Sequence, residues 1–389
     1  MTQKAYRYRC YPTLSLTTFL AQTFGCCRFI YNYFLAKKQE CYKEHKKTLT
    51  YVECARMLAE LKKTKEWLKE VSSVALQQSL RHLETAFERF FQKQGAFPKF
   101  KKKSNEQKAT FMKNAFTFKN GELWLAKCTE PLKIRWSRQF QGEPTSITIT
   151  LDQRGRYYIS FLVEELILPL PFARTTVGID LGLTNIVTTS AGEKTGPSHF
   201  LKKQLKRLRR RQKAFSKKKK GSINFHKARK AIGTLCGKIR DSRTDYLHKI
   251  STKLVNENQV ICIEDLAVKN MIKNKHLSRS IADAGWGTLI RFLQYKSDWY
   301  GRELVQIKRF FPSSKQCCHC KALHQDLKLS DRRWHCAHCG SEHDRDETAA
   351  KNIEEEGLRQ INWSTVGHTG FQACGANVRP TWATSGSLL

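Results

Sequence analysis

Two pairs of cysteines late in the chain have the spacing of a metal site. Cys317 and Cys320 form one CxxC pair, and Cys336 and Cys339 form another after an insert of 15 residues. Four thiolates paired in this way match tetrahedral zinc, and the insert matches that of zinc ribbons. Three histidines among them could replace one ligand: His319, His335 and His338. Four unconnected buried cysteines are the alternative, but the spacing favours one structural zinc ion in a segment too short to bury its own core.

Three acidic residues stand at the ends of apolar segments. Asp180 in VGIDLG and Glu264 in VICIEDL lie where predicted buried strands end, and Asp346 in DRDETAAKNI (344–353) lies where a helix is predicted to begin. Carboxylates at strand ends can converge across a sheet and hold two divalent ions about 3.5–4 Å apart, which activates water against a phosphodiester. Magnesium suits such a site because it prefers hard oxygen ligands and retains several waters.

Each acidic residue also has a simpler explanation. Asp180 could be a turn residue, Glu264 an exposed strand end, and Asp344 or Asp346 a helix cap. The segment GIDLG is also similar to the start of the phosphate-binding hairpin of heat-shock-protein ATPases, but the sequence lacks their further phosphate loop and adenosine-binding glycine motif. The positive charge of the chain and its cysteine pairs favour the catalytic interpretation.

The chain carries a large excess of positive charge. Its 70 lysines and arginines against 34 aspartates and glutamates give a net charge of +36, which indicates a polyanionic partner such as nucleic acid. Residues 201–220 include 12 basic and no acidic residues, and FPKFKKK (97–103) combines phenylalanines with lysines. A solvated helix face and an ordinary basic linker are the alternatives for these segments. The residues predicted to bind nucleic acid are Lys99, Lys101, Lys102, Lys103, Lys202, Lys203, Lys206, Arg207, Arg209, Arg210, Arg211 and Lys213.

The sequence argues against a secreted or membrane-spanning protein. The amino terminus MTQKAYRYRCYPT is polar and basic without an apolar signal region, and no run of about 18 apolar residues occurs. Beyond the two pairs, the 14 cysteines lack the spacing of a disulfide framework, which indicates a reducing compartment. We therefore predict a cytoplasmic protein.

Hydrophobic periodicity divides the chain into a helical block, a β-rich block and an α/β block, which predicts a multidomain α/β protein. Helical spacing is found in three early segments, at residues 16–44, 51–64 and 73–93. Residues 105–170 contain predicted hairpins at Asn120-Gly121 and Arg154-Gly155, and together with the first 13 residues they predict a small β-barrel. Buried strands predicted in the last block alternate with helices and lie within 175–190, 258–266 and 304–310.

In this order and spacing, the motifs resemble those of the transposon-encoded TnpB (OrfB) proteins, relatives of the type V CRISPR effectors. VGIDLGLTN, ICIEDL and DRDETAAKNI resemble the three RuvC-type nuclease motifs, and SSKQCCHC and WHCAHCG resemble the halves of a zinc ribbon inserted before the third. Further segments that resemble the family are KAYRYRCYPT, GCCRFIYNYFL (25–35), FPKFKKK and ACGANVRPT (373–381). The resemblance covers almost the whole chain.

The resemblance implies an RNA-guided DNA endonuclease with a ribonuclease H-like (RuvC) core. It implies that Asp180, Glu264 and Asp346 are catalytic and bind two magnesium ions, with Asp344 less favoured than Asp346. Its partners would be a guide RNA from the transposon end and double-stranded DNA cleaved beside a short flanking motif. The implied domains are a β-barrel (wedge-like) domain of 1–13 and 105–172, a helical recognition domain of 14–104, a RuvC-like nuclease domain of 173–311 and 341–356, a zinc-ribbon insert of 312–340 and a loosely ordered tail of 357–389.

One residue departs from the family pattern. Thr348 stands where the third motif, commonly DRDxNAA, has asparagine; threonine keeps a hydrogen-bonding oxygen but lacks the amide, so reduced activity is one expectation. All three acidic residues are retained, which favours cleavage. The alternative functions are an RNA-guided DNA-binding repressor and, fitting less well, a DNA-strand-transfer transposase. We predict a monomer, without a membrane partner, associated with the nucleoid of a bacterial or archaeal cell.

Overall fold

The structure, a computed structural model, describes residues 2–197, 199–328 and 330–363. The chain divides into two compact units: the first comprises residues 1–168 and 201–242, and the second comprises residues 169–200 and 243–389. The segment ACGANVRPT and most of the predicted tail lie outside the described residues, whereas the first residues assigned to that tail still belong to a helix. Among the described residues, no helix has the length and apolarity needed to cross a membrane.

Three helices follow the first strand of the first unit, close to their predicted positions. They are α1 (Leu14–His45), α2 (Tyr51–Thr64) and α3 (Ser73–Phe91). Thr13 caps α1 by accepting a hydrogen bond from the backbone N–H of Leu16, and Thr50 and Glu53 form a capping box at the start of α2. Three leucines at helical spacing on α3 are buried in the core of this unit: Leu76, Leu80 and Leu83.

The amino-terminal strand joins the β-rich segment in one five-stranded sheet of order β2-β6-β7-β1-β5, and β3 and β4 form a separate hairpin. Asn120 and Gly121 both have positive φ, 53° and 77°, as the predicted two-residue turn requires. Among the residues described, no pairing of β2 with β5 closes the sheet, so the barrel stays a prediction. The strands are β1 (Thr2–Cys10), β2 (Gln107–Met112), β3 (Phe116–Lys119), β4 (Glu122–Leu125), β5 (Ile134–Arg135), β6 (Pro144–Leu151) and β7 (Tyr157–Glu165).

The basic segment forms helix α4 (Phe200–Ser216), and the long helix α5 (Ile223–Glu257) follows it. Within the first unit, the β6–β7 turn contacts α5 through Arg154, whose guanidinium donates hydrogen bonds to Asp241 at 3.0 and 3.1 Å. A Cβ atom at Gly237 would lie 1.5 Å from Cζ of Arg154, so only glycine leaves room for this side chain.

A mixed five-stranded sheet of order β10-β9-β8-β11-β12 forms the centre of the second unit. The strands β8, β11 and β12 are parallel, and β9 and β10 extend the sheet in antiparallel pairs. Strand β11 is buried on both faces, as its uninterrupted apolar sequence predicts: Ile261 and Ile263 belong to one core, and Val260 and Cys262 to another. The strands are β8 (Thr176–Asp180), β9 (Val187–Thr189), β10 (Lys194–Thr195), β11 (Val260–Glu264) and β12 (Glu303–Ile307).

Between β12 and the last helix lies a small segment with a two-stranded antiparallel ribbon, β13 (Arg333–His335) and β14 (Glu342–Asp344). It contains the four cysteines of the predicted zinc site, and we call residues 312–344 the cysteine module. Strand β14 leads directly into helix α9. The remaining helices are α6 (Val268–Met271), α7 (Ser278–Ala284), α8 (Trp286–Tyr300) and α9 (Arg345–Gln360).

Helix α9 approaches the sheet closely at two glycines. A Cβ atom at Gly178 of β8 would lie 2.0 Å from the backbone oxygen of Ala350, and one at Gly357 of α9 would lie 2.4 Å from Sγ of Cys262. The backbone oxygen of Ala350 cannot rotate away as a side-chain atom could. The absence of side-chain atoms at Gly178 therefore lets α9 lie against β8.

Substituting Gly178 with alanine tests this packing. We expect Gly178→Ala to lower the free energy of unfolding by about 3 kcal/mol, because overpacking forces α9 away from the sheet. Urea unfolding followed by circular dichroism measures the change. The matched control is Gly287→Ala in α8, where a Cβ atom would meet nothing within 4 Å and alanine should stabilise the helix by up to ~1 kcal/mol. Equal stability of the two variants would contradict the close approach.

Candidate active site and metal centre

Asp180 and Glu264 are the last residues of neighbouring parallel strands. The strands β8 and β11 end at these residues, and the pairing of Ile179 with Ile263 sets the two acidic residues side by side. The carboxyl ends of parallel strands meet at the same edge of a sheet, which is where sites form in α/β folds. Asp346 lies in the first turn of α9, the helix that packs on both strands.

The three carboxyl groups lie near enough to influence one another. Burial, together with the charges of Glu264 and Asp346, raises the pKa of Asp180 to about 7, although two nearby arginines oppose this shift. Burial also raises the pKa of Glu264, and the hydroxyl of Ser313 opposes that change by donating a hydrogen bond to Oε1. Crowded carboxylates in a partly buried place repel one another unless a cation neutralises them. This donor set therefore fits Mg²⁺, which prefers oxygen ligands.

An arginine that sequence analysis did not identify also contacts the acidic residues. The guanidinium of Arg332 donates a hydrogen bond to Oδ1 of Asp346 at 3.0 Å. Across the described ranges, the oxygens of the three carboxylates do not all lie within 4.8 Å of one another. This wider spacing is compatible with two ions, because two ions about 3.5–4 Å apart need ligand atoms spread over a larger distance than one ion does.

The two aspartates of the third motif have different environments. The carboxylate of Asp344 caps α9 by accepting hydrogen bonds from the backbone N–H groups of Asp346 and Glu347, and Lys194 lies 2.7 Å from it. Burial alone would raise the pKa of Asp344, but these hydrogen bonds and the Lys194 charge outweigh it, so the pKa lies below its usual value. Asp344 is thus the cap, whereas the charge of Asp346 acts on Asp180.

The four predicted zinc ligands come together in the cysteine module. The Sγ atoms of Cys317 and Cys339 are 3.6 Å apart, those of Cys320 and Cys336 are 3.5 Å apart, and all four lie within 4.8 Å of one another. Tetrahedral zinc with Zn–S bonds of about 2.3 Å would place the sulfurs about 3.8 Å apart. The four cysteines therefore fit one zinc ion without a histidine ligand. Hydrogen bonds from Ser341 lower the pKa of the Cys339 thiol to about 6.

The module also contains a buried histidine that sequence analysis did not single out. His343 of β14 is only 3 % exposed, and its Nε2 lies 3.1 Å from Sγ of Cys317. Thr348, the residue that departs from the family pattern, is buried as well, and its hydroxyl lies 3.3 Å from Nδ1 of His343. No spacing rule pointed to His343, because it lies outside both cysteine pairs.

The residues predicted to bind nucleic acid lie in two segments of the first unit. Most of these side chains are exposed, but two are held against the protein. Lys101 has its Nζ 3.7 Å from the centre of the Tyr31 ring, and burial together with the charge of Lys108 lowers its pKa to about 8. Arg211 donates a hydrogen bond to the backbone oxygen of Ala231 at 2.6 Å. The exposed members are Lys99, Lys102, Lys103, Lys202, Lys203, Lys206, Arg207, Arg209, Arg210 and Lys213.

A second basic surface, which sequence analysis did not assign to binding, lies on the strands β1 and β7. Three guanidinium groups surround the ring of Tyr158: Arg7 at 4.2 Å from its centre, Arg9 at 5.1 Å and Arg156 at 5.2 Å. The alternation of tyrosine and arginine in β1 buries Tyr8 and turns the arginines to the other face. Arginines beside an aromatic ring suit nucleic-acid binding, because guanidinium groups contact phosphates and aromatic rings stack on bases.

Sequence similarity to two relatives over most of the chain identifies its family. It is 45% identical over 384 residues to a protein of Streptomyces pristinaespiralis named "Putative RNA-guided DNA endonuclease", a match that covers 97% of this chain and 92% of that relative. It is 32% identical to the protein InsQ of Escherichia coli K12, which has the same description, over 85% of this chain and 86% of the relative. The chain belongs to the TnpB (OrfB) family. The resemblance inferred from the motifs is therefore confirmed.

Three family models match separate parts of this TnpB-family chain. Residues 160–275 match OrfB_IS605, described as "Probable transposase", and residues 286–353 match "Cas12f1-like, TNB domain". Residues 1–47 match "Helix-turn-helix domain", although here they form the strand β1 and the single helix α1. A solved Cas12f1-sgRNA-target DNA complex shares the fold with a TM-score of 0.56 at 14% identity, over 91% of this chain and 98% of that one. The predicted mixed α/β fold class is thus confirmed at this coarse level.

The cysteine cluster makes a prediction about metal content. We expect one zinc per chain in the purified protein and less than a tenth of that in Cys320→Ser, because loss of one thiolate opens the tetrahedral site. Elemental analysis by mass spectrometry measures it. Cys318→Ser, which changes the neighbouring cysteine outside the group of four, is the control and should retain one zinc. A wild-type protein without zinc would contradict the assignment.

Proposed function

We propose that the chain is an RNA-guided DNA endonuclease with a metal-dependent active site formed by Asp180, Glu264 and Asp346. The observation that carries the proposal is the side-by-side position of Asp180 and Glu264 at the ends of parallel strands, with α9 packed on them. The names of the relatives support guided action on DNA, and the Cas12f1 complex supports guide RNA and target DNA as partners. We assign the sheet of the second unit to a RuvC-like, ribonuclease H-like core.

Two Mg²⁺ ions held by the three carboxylates would supply the positive charge that stabilises the attacking and leaving oxygens of a phosphodiester. The chain's own residues prepare this site. Strand pairing holds Asp180 beside Glu264, and the Ser313 hydroxyl orients Glu264. Asp344 caps α9 and thereby fixes the first turn that contains Asp346.

The basic residues of the first unit would bind the nucleic acids through their backbones. The helix α4 presents exposed lysines and arginines over several turns, which matches the regular spacing of phosphates rather than any base sequence. Sequence would then be read by pairing between the guide RNA and the target strand, as in other guided nucleases. We assign residues 14–104 to recognition of the guide and the flanking DNA motif, and 1–13 with 105–172 to a wedge-like domain that assists it. In this proposal residues 173–311 and 341–356 form the nuclease and 312–340 the zinc ribbon.

A non-cutting, RNA-guided DNA binder that blocks transcription is the alternative, and a strand-transfer transposase is a third. Cleavage assays separate them when the protein is purified with RNA expressed from its own locus. The guide segment is reset to a chosen sequence, and the substrate is a plasmid library with randomised flanks. The proposed enzyme gives cuts that depend on guide, flank and Mg²⁺. The repressor gives guided binding alone, and the transposase gives joined DNA ends.

The different environments of the two motif aspartates allow a matched pair of variants. We expect Asp346→Asn to reduce guided cutting on the order of 10²–10³-fold, because it removes a negative carboxylate that would hold Mg²⁺ at the reacting centre. Binding to the target should persist. We expect Asp344→Asn to cut within a few-fold of wild type, because asparagine caps helices as well as aspartate. Initial cutting rates and gel-shift binding measure both effects. If Asp344→Asn is the more damaging change, the assignment of the acidic residues is wrong.

The charge of α4 makes a prediction about salt dependence. Replacing Lys206, Arg207, Arg210 and Lys213 with glutamine should lower the slope of log affinity against log salt by about 3–4, since each lost phosphate contact reduces it by about 1. Fluorescence anisotropy with the guide RNA over a salt titration measures the slope. A variant that exchanges lysine and arginine at these positions keeps the charge and should keep the slope. An unchanged slope in the glutamine variant would show that α4 is only a solvated face.

A further inference from the structure

His343 lies between a predicted zinc ligand and helix α9. Its Nε2 is 3.1 Å from Sγ of Cys317, and its Nδ1 is 3.3 Å from Oγ1 of Thr348. The ring also packs against Trp334, with centroids 4.4 Å apart. All three side chains are buried with His343, so water does not compete for these contacts.

The chemistry of the two neighbours assigns the hydrogen atoms. A zinc-bound thiolate has no hydrogen to donate, so Nε2–H of His343 donates to Cys317. The ring then offers Nδ1 as an acceptor, and the hydroxyl of Thr348 donates to it. Histidines that contact a metal site are commonly oriented in this way by a second hydrogen bond. Thr348 is the second partner here, which gives this residue a role away from the acidic residues.

A second set of hydrogen bonds joins α9 to the same module. The side-chain amide of Asn352 donates to the backbone oxygens of Ser313 at 2.8 Å and Gln316 at 2.7 Å. Gln316 precedes Cys317, and Ser313 donates its own hydroxyl hydrogen to Glu264. The module therefore contacts α9 before the first cysteine pair, through Ser313 and Gln316, and after the second pair, through His343.

We propose that His343 and Thr348 couple zinc binding to the position of α9, and hence to the position of Asp346. His343 is then a positioning residue, because it acts through Cys317 and Thr348 rather than at the reacting centre. The inference rests on the proposed zinc site and the proposed nuclease function. It also explains how threonine can replace the family's asparagine at position 348, since the contact requires only one hydrogen-bond donor.

Cys318, His319 and His343 offer a competing explanation, because their ligand atoms lie within 4.8 Å of one another and could hold a second metal ion. The geometry favours the coupling instead. Both nitrogens of His343 already face a partner at 3.1 and 3.3 Å, whereas Sγ of Cys318 is 3.8 Å from Nδ1. The two explanations differ in the number of zinc ions per chain, one against two.

The test measures zinc affinity separately from activity. The full chain, purified with its RNA, is titrated with a colorimetric chelator that competes for zinc. We expect Thr348→Val, which removes the hydroxyl at constant volume, and His343→Phe, which keeps the contact with Trp334, to bind zinc about 10–100-fold more weakly. Thr348→Ser keeps the hydroxyl and should restore wild-type affinity. Thr150→Val, a buried threonine of β6 in the first unit, is the control and should not change zinc affinity.

Cutting of a guided plasmid target provides the second measurement. We expect Thr348→Val to lose cutting at a chelator concentration that wild type tolerates, and to regain it when zinc is added back. Zinc affinity of Thr348→Val within two-fold of wild type would overturn the coupling. Two zinc ions per chain, with one lost in Cys318→Ser, would overturn it in favour of a second site. If wild type binds zinc but does not cut, the nuclease proposal fails while the zinc titration still decides the His343–Thr348 contact.

Discussion

The close packing of helix α9 against the parallel strands is the constraint on which the candidate site depends. Gly178 lets the helix backbone approach β8, and Gly357 makes the same kind of contact with Cys262 of β11. Only at this distance can the first turn of α9 place Asp346 near acidic residues that belong to two strands. The cap at Asp344 then fixes that turn. The close packing of α9 at the two glycines and the cap at Asp344 thus bring together acidic residues that lie far apart in the sequence.

The two units differ in how they place charge: the first exposes many basic residues, and the second contains the partly buried acidic residues. The chain has twice as many basic as acidic residues, and many of its lysines and arginines are exposed on α4 and after α3. The three acidic residues of the site stand out from this background because burial and mutual repulsion raise the pKa of Asp180 to about 7. In the proposed reaction, the basic surface would attract the polyanion, and cations at the carboxylates would offset the negative charge that the phosphodiester brings.

The cysteine module illustrates how a metal can replace a hydrophobic core. Among its described residues, the buried hydrophobic cluster contains Cys317, Leu327, Trp334 and Cys336, and two of these are predicted zinc ligands. If zinc binds there, such a segment would depend on the metal for its folding energy. Strand β14 continues directly into α9, and His343 and Asn352 form hydrogen bonds between the module and the helix, so in our proposal order in the module would also stabilise the helix. The zinc ion would thereby stabilise a site that it does not touch.

Sequence alone was sufficient for features that depend on local pattern. The helices and strands, the Asn120-Gly121 turn and the cysteine spacing follow from residues close together in the chain, and the family follows from the order of motifs along it. The structure or the relatives bear these predictions out. The roles of the acidic residues stay proposals, and so does the barrel, because closure of a sheet depends on strand pairing over long distances. Only the tertiary structure distinguished Asp344 as a cap from Asp346, and only it revealed Arg332, Ser313 and His343. Arg332 contacts a residue 14 positions away, His343 contacts Cys317 26 positions away and Ser313 contacts Glu264 49 positions away, and no periodicity or spacing rule reports such contacts.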